Sequence, residues 1–226
     1  MGKCRRWGDG ILVPLFLLLV ANAAHASWIS DSFGTGDVPE RRALAAMERA
    51  GMNPDAVVVK IDRTQPSAIG RLVKLPGDTL LDAEGFDANL ARESGAPIGA
   101  LQTAVALHEY CHAWIDMHDI SLPGPCMRLP DDVGNELFCD AVAFAVMRHE
   151  GWQAGVDALY KVRRAGQALI GPAIEGAEPA VVAHWKSRSA ALEVIVTEPK
   201  TYESPEMTAR HHALRACQAL WRRADE

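Results

Sequence analysis

Residues 106–114 read Ala106-Leu107-His108-Glu109-Tyr110-Cys111-His112-Ala113-Trp114. Apolar Leu101, Val105, Leu107 and Trp114 run through the surrounding stretch, which predicts a helix from Pro97 to Met117. His108 and His112 stand four apart, so on a helix both imidazoles leave the same face, one turn apart. Two imidazoles so placed can share one tetrahedral ion, and zinc suits nitrogen ligands at about 2.0–2.1 Å. Glu109 follows the first of them. Its carboxylate can take the proton of a water that attacks a metal-polarised peptide carbonyl. The spacing HExxH is short and arises by chance; the plainer alternative is two surface histidines on an amphipathic helix. The apolar setting, after a strand pair, favours the metal.

A catalytic zinc site takes a third protein ligand and leaves one position open. Two candidates compete for that third place. Glu136 lies in Asn135-Glu136-Leu137-Phe138-Cys139-Asp140, and Asp140 follows it by four, so both face the same way on a helix. Val142, Ala143, Val146 and Met147 make that helix largely buried. Carboxylates in such a setting need partners, because burying charge is costly. Glu136 could bind the ion while Asp140 accepts a hydrogen bond from the far nitrogen of a ligand histidine. The rival is His118, ten residues after His108, as in HExxHxxGxxH. The glycine of that pattern is Ile115 here, and a β-branched residue resists the positive φ of a sharp turn. Glu136 is the preferred ligand.

Outward from these segments, Val38 to Ala50 has helical spacing with Pro39 at its start and Gly51 past its end. Val57–Ile61 and Ile69–Leu75 read as strands, with the turn between them at Thr64 to Ser67. Ser121 to Val133 is a loop rich in Pro and Gly. Further helices are expected at Asn135–Glu150, Ala154–Ile170 and Pro179–Val196, and a last one capped by Ser204 with Pro205 in its first turn. The expected fold class is α+β, mostly helical, with a small sheet preceding the HExxH helix.

Residues 1–26 read as an export signal. Lys3, Arg5 and Arg6 precede the apolar run Ile11 to Val20, and Ala24-His25-Ala26 offers a cleavage site before Ser27. The run falls short of the ~20 apolar residues a spanning helix needs. Residues 27–226 then form one domain, with 20 basic and 28 acidic residues. That balance argues against nucleic acid or an anionic membrane surface as a partner. The remaining cysteines are Cys111, Cys126, Cys139 and Cys217; an even count in an exported chain favours disulfides. A Cys126–Cys139 bridge would pin the Pro/Gly loop to the second ligand helix. A zinc-capping Cys126 thiolate is the sharper alternative.

With HExxH at 108–112 and ExxxD at 136–140, the chain resembles the gluzincin metallopeptidases. It is most similar to the family of the bacterial membrane heat-shock protease, the CAAX prenyl proteases and soluble periplasmic quality-control peptidases. Glu136 to Tyr160 (ELFCDAVAFAVMRHEGWQAGVDALY) is similar to that family's ExxAD segment, and Ser204 to Arg210 to its HPxxxxR segment. The likeness spans about Val57 to Leu214, and only HExxH and ExxxD are specific.

The resemblance implies a zincin-like fold, one catalytic Zn2+ held by His108, His112 and Glu136, and Glu109 as general base. It implies Asp140 as the residue orienting a ligand histidine, and Arg210 as a catalytic group stabilising the oxyanion. The substrate would be a peptide or unfolded protein laid antiparallel along the Ile69–Leu75 strand, in the turnover of periplasmic or secreted proteins. Two departures stand out: Ser204 replaces the family histidine, and Cys139 replaces the small residue before the aspartate. The Ser204 departure suits a different reading, a non-catalytic zinc module that binds envelope proteins or assists their assembly.

Overall fold

Two helices of this protein end in the same way. Helix α1 (Pro39–Arg49) stops at Gly51, φ 73°, with Met52 N donating to Met47 O and Gly51 N to Glu48 O. Helix α3 (Val133–His149) stops at Gly151, φ 71°, with Trp152 N donating to Met147 O and Gly151 N to Arg148 O. Both are Schellman caps, which need a left-handed residue that only glycine adopts without cost. The two ends are joined: Arg49 donates to both oxygens of Glu150, at 3.1 and 2.6 Å. The computed structural model describes residues 39–54, 57–61, 67–75, 94–129, 133–173 and 190–224. The expected export segment lies outside them, and no helix among the described residues is long and apolar enough to cross a membrane.

The architecture is mostly helical with one small sheet. Strands β1 (Val58–Ile61), β2 (Ser67–Ile69) and β3 (Leu72–Leu75) pair in the order β1-β3-β2. Helix α2 (Ile98–His118) follows, then a 3-10 turn (Cys126–Arg128), α3, α4 (Gln153–Ala173), a helical stretch at 190–197 and α5 (Pro205–Ala224). The expected helix boundaries agree within a few residues; of Pro179–Val196, the portion before 190 lies outside the described residues.

The expected strand Ile69–Leu75 is a correction. Gly70, at φ 55°, turns the chain, and Ile69 pairs with Leu72 across a two-residue turn. Glycine at the first central position is what a II′ hairpin requires. A turn therefore falls at Gly70-Arg71, inside the expected strand, and β3 pairs with β1 in parallel on its other side; of the expected turn at Thr64 to Ser67, residues 64–66 lie outside the described residues and Ser67 begins β2. Val59, Val73 and Leu75 turn into the core, while Val58 and Leu72, in register with each other, stay exposed.

Helix α2 is the hub: it packs against α1, α3, α4, β2 and β3. Helix α3 in turn packs against α2, α4 and α5. Leu137 to Met147 are buried without interruption, the signature of a helix surrounded on all sides. Gly134 permits a close approach at the start of α3. A Cβ there would stand 2.3 Å from the carbonyl oxygen of Cys126, so the loop lies directly on the helix.

The cysteine expectation is also corrected. Cys126 is bonded to Cys217, 91 residues away, which ties the 3-10 turn to α5. That bond leaves Cys126 no thiolate with which to cap a metal. Cys139 is free and buried beside the free Cys111, its hydrogen-bonding neighbour across α2 and α3. Burial pushes the Cys139 thiol well above its ordinary pKa.

Candidate metal centre

Helix α2 presents His108 and His112 toward α3, which brings up Glu136. The Nε2 atoms of the two histidines are 3.1 Å apart. Glu136 spans them: Oε2 lies 3.3 Å from His108 Nε2, and Oε1 lies 3.3 Å from His112 Nε2. A tetrahedral ion with bonds of 2.0–2.1 Å separates its ligand atoms by about 3.3–3.4 Å. The three side chains therefore frame a site of the right size for an ion such as zinc, with the nitrogen and oxygen donors it accepts. Calcium, with bonds of about 2.3–2.6 Å to six or more oxygens, fits neither the size nor the donors. Among the described residues this is the group of side chains that could hold a metal ion.

The site has a closed and an open side. His108 is 4% exposed, and its side chain is enclosed, whereas the side chains of His112 and Glu136 are 19% and 34% exposed. On the closed side, His108 Nδ1 lies 2.9 Å from Asp140 Oδ1. The carboxylate accepts, so a proton sits on Nδ1 and Nε2 is the nitrogen that faces the centre.

Charge in the pocket is tightly balanced. Burial opposes an imidazolium at His108, but the Asp140 carboxylate and Glu136 outweigh it and raise its pKa to about 10. Burial would raise Glu136, yet hydrogen bonds from both histidines hold it far below the ordinary carboxylate range. Burial likewise opposes ionisation of Asp140, and the charges of Arg163 and His108 overcome it. Glu109 is buried one residue after His108. Burial raises its pKa against the pull of His108 and His112.

Of the remaining expected residues, His118 falls elsewhere. Helix α2 runs straight through Ile115 and turns off only at Asp119, φ 49°, so His118 extends from the last turn. Its Nε2 lies 3.0 Å from the Asn53 carbonyl, outside the His108–His112–Glu136 group. Arg210 donates to Glu206 Oε1 at 2.8 Å and to the Ser121 carbonyl at 2.9 Å, and stacks over Phe138. Ser204 caps α5, its carbonyl accepting from Thr208 N at 3.0 Å.

Arg163 was not anticipated. Its Nε and one terminal nitrogen donate to Asp140 Oδ1 at 3.1 and 2.8 Å. The signal was available in helical phase. Val156, Leu159 and Val162 mark the buried face of α4, and Arg163 stands seven and four residues after the first two. A charge at that phase needs a buried partner. No protein-family model, curated protein or solved structure matches the chain.

Proposed function

We propose that this chain is a zinc-dependent metallopeptidase with a zincin-like domain, exported from the cytoplasm and acting on peptide bonds of periplasmic or secreted proteins. The observation that carries the reading is the convergence of His108, His112 and Glu136 at 3.1–3.3 Å, with Glu109 buried on the same helix. Zinc held there would supply a Lewis acid for the scissile carbonyl and a water with a pKa near about 7.

The chain's own residues do the rest. His108 and His112 offer neutral nitrogens, and Glu136 adds the third ligand and one negative charge. Glu109 takes the proton from the attacking water and passes it to the leaving amine. Asp140 holds His108 in the tautomer that leaves Nε2 free. The substrate segment would lie along β2. Strand β3 is paired on both sides, while β1 and β2 are the edge strands among the described residues, and of these two it is β2 that packs against α2. An open edge accepts an extended peptide through backbone hydrogen bonds.

A structural site needs no base, so the intact Glu109 supports catalysis over a non-catalytic zinc module. One observation favours the module: Arg210, the expected oxyanion group, already donates to Glu206 and the Ser121 carbonyl. Cleavage of casein by the wild type, and none by Glu109→Ala at equal zinc content, supports the peptidase. Equal activity of the two, or none in either, overturns it.

A further inference from the structure

We propose that Arg163 is a positioning residue of the metal site: it clamps Asp140 so that Asp140 can hold His108 in its metal-binding orientation. The inference rests on the zinc reading above. Its observation is a convergence on one atom. Asp140 Oδ1 accepts from His108 Nδ1 at 2.9 Å and from Arg163 through two nitrogens at 3.1 and 2.8 Å. The terminal nitrogen of Arg163 also lies 3.3 Å from His108 Nδ1. Both atoms carry protons, so this closeness reflects a shared acceptor and not a bond between them.

Asp140 is 6% exposed. A carboxylate that deep requires a charged partner, and with an ion bound His108 is a neutral imidazole that offers it a single N–H. The planar fork of Arg163 supplies the charge and holds Oδ1 in place, because two donors from one rigid plane meet that oxygen. Without Arg163, the carboxylate relaxes by turning away from His108 toward water. The ring then loses the acceptor that fixes its orientation. A chain of contacts thus runs from α4 through Asp140 on α3 to His108 on α2, the three helices that pack together here. The guanidinium side chain is 31% exposed, so it reaches this place without being wholly buried itself.

A plain inter-helix ion pair would also join α3 to α4, and metal affinity separates the two roles. Metal-free full-length chain is titrated with Zn(II) against a chromophoric chelator. Co(II) absorption reports ligand geometry, and the unfolding temperature of the metal-free protein reports stability. Arg163→Leu is expected to weaken zinc by about 10–100-fold and to alter the Co(II) spectrum. Arg163→Lys, which keeps the charge but not the fork, is expected to fall between it and wild type. Folded variants with wild-type affinity and spectrum overturn the proposal, whatever their stability. If Arg163→Leu does not fold, Arg163→Lys decides alone: weakened zinc supports the clamp, and unchanged zinc overturns it. A wild type that binds no zinc overturns the zinc reading and this inference together, whereas unaffected variants of a zinc-binding wild type overturn this inference only.

Discussion

Asp140 Oδ1 stands 2.9 Å from His108 Nδ1, on the side of the imidazole opposite the nitrogen that faces Glu136. One ring thus joins two carboxylates that lie one turn apart on α3. Removing the rear carboxylate leaves the three inward ligands in place but frees the His108 ring. Asp140→Ala is expected to retain one zinc per chain and to lose about 10–100-fold in affinity. Chelator competition measures this; an affinity equal to wild type would show that the ring is oriented by packing alone.

Glu136 and His118 make opposite predictions. Glu136 bridges both histidines, whereas His118 lies at the Asn53 carbonyl. Purified Glu136→Ala should therefore carry far less than one zinc per chain, and His118→Ala should carry the wild-type amount. Metal analysis of the two variants decides between the ligand sets, and the reverse pattern would point to the HExxHxxGxxH arrangement.

The Cys126–Cys217 bond closes a separation of 91 residues that takes in α3, α4, the helical stretch at 190–197 and more than half of α5. Loops of that length lose substantial chain entropy when closed, and removal of a native disulfide costs about 2–5 kcal/mol. Cys126→Ser with Cys217→Ser should lower the unfolding temperature by roughly 4–20 °C for a domain of this size. Cys111 and Cys139 are buried, so in protein lacking residues 1–26, and with them Cys4, thiol reagents should find two free thiols only after denaturation. Four reactive thiols in the denatured, unreduced protein would contradict the pairing.

His212 is fully buried; its Nε2 donates to the Lys200 carbonyl at 2.8 Å, and its Nδ1 has no hydrogen-bond partner among the described residues. Burial lowers its pKa below the ordinary value of 6.5. The unfolded chain therefore binds this proton first as the medium becomes acidic. The neutral ring's contribution to stability is complete above about pH 6.5 and is lost as the pH falls toward the folded-state pKa. Denaturant midpoints at pH 7.5 and pH 5 should differ less in His212→Gln than in wild type. Equal differences in the two proteins would mean that this ring does not sense pH.

Much of the site was legible along the chain because its geometry is local. Four-residue spacing puts His108 beside His112, and Glu136 beside Asp140, whatever the helices pack against. Ile115 disfavoured a turn at that position, and α2 continues through it to Asp119. Gly70 was equally local. A glycine inside an apparent strand marks a bend, and reading Ile69–Leu75 as continuous overlooked it.

What the sequence by itself determined is which side chains share a helix face and where helices stop, since both follow from backbone geometry over a few residues. Only the tertiary structure decided that α2 meets α3 with its histidines toward Glu136, that β1 lies parallel to β3, that Cys126 finds Cys217, and that Arg163 arrives from α4 to hold Asp140. Those pairings join residues far apart in the chain. They depend on how buried faces fit together, and no spacing along the sequence encodes that fit.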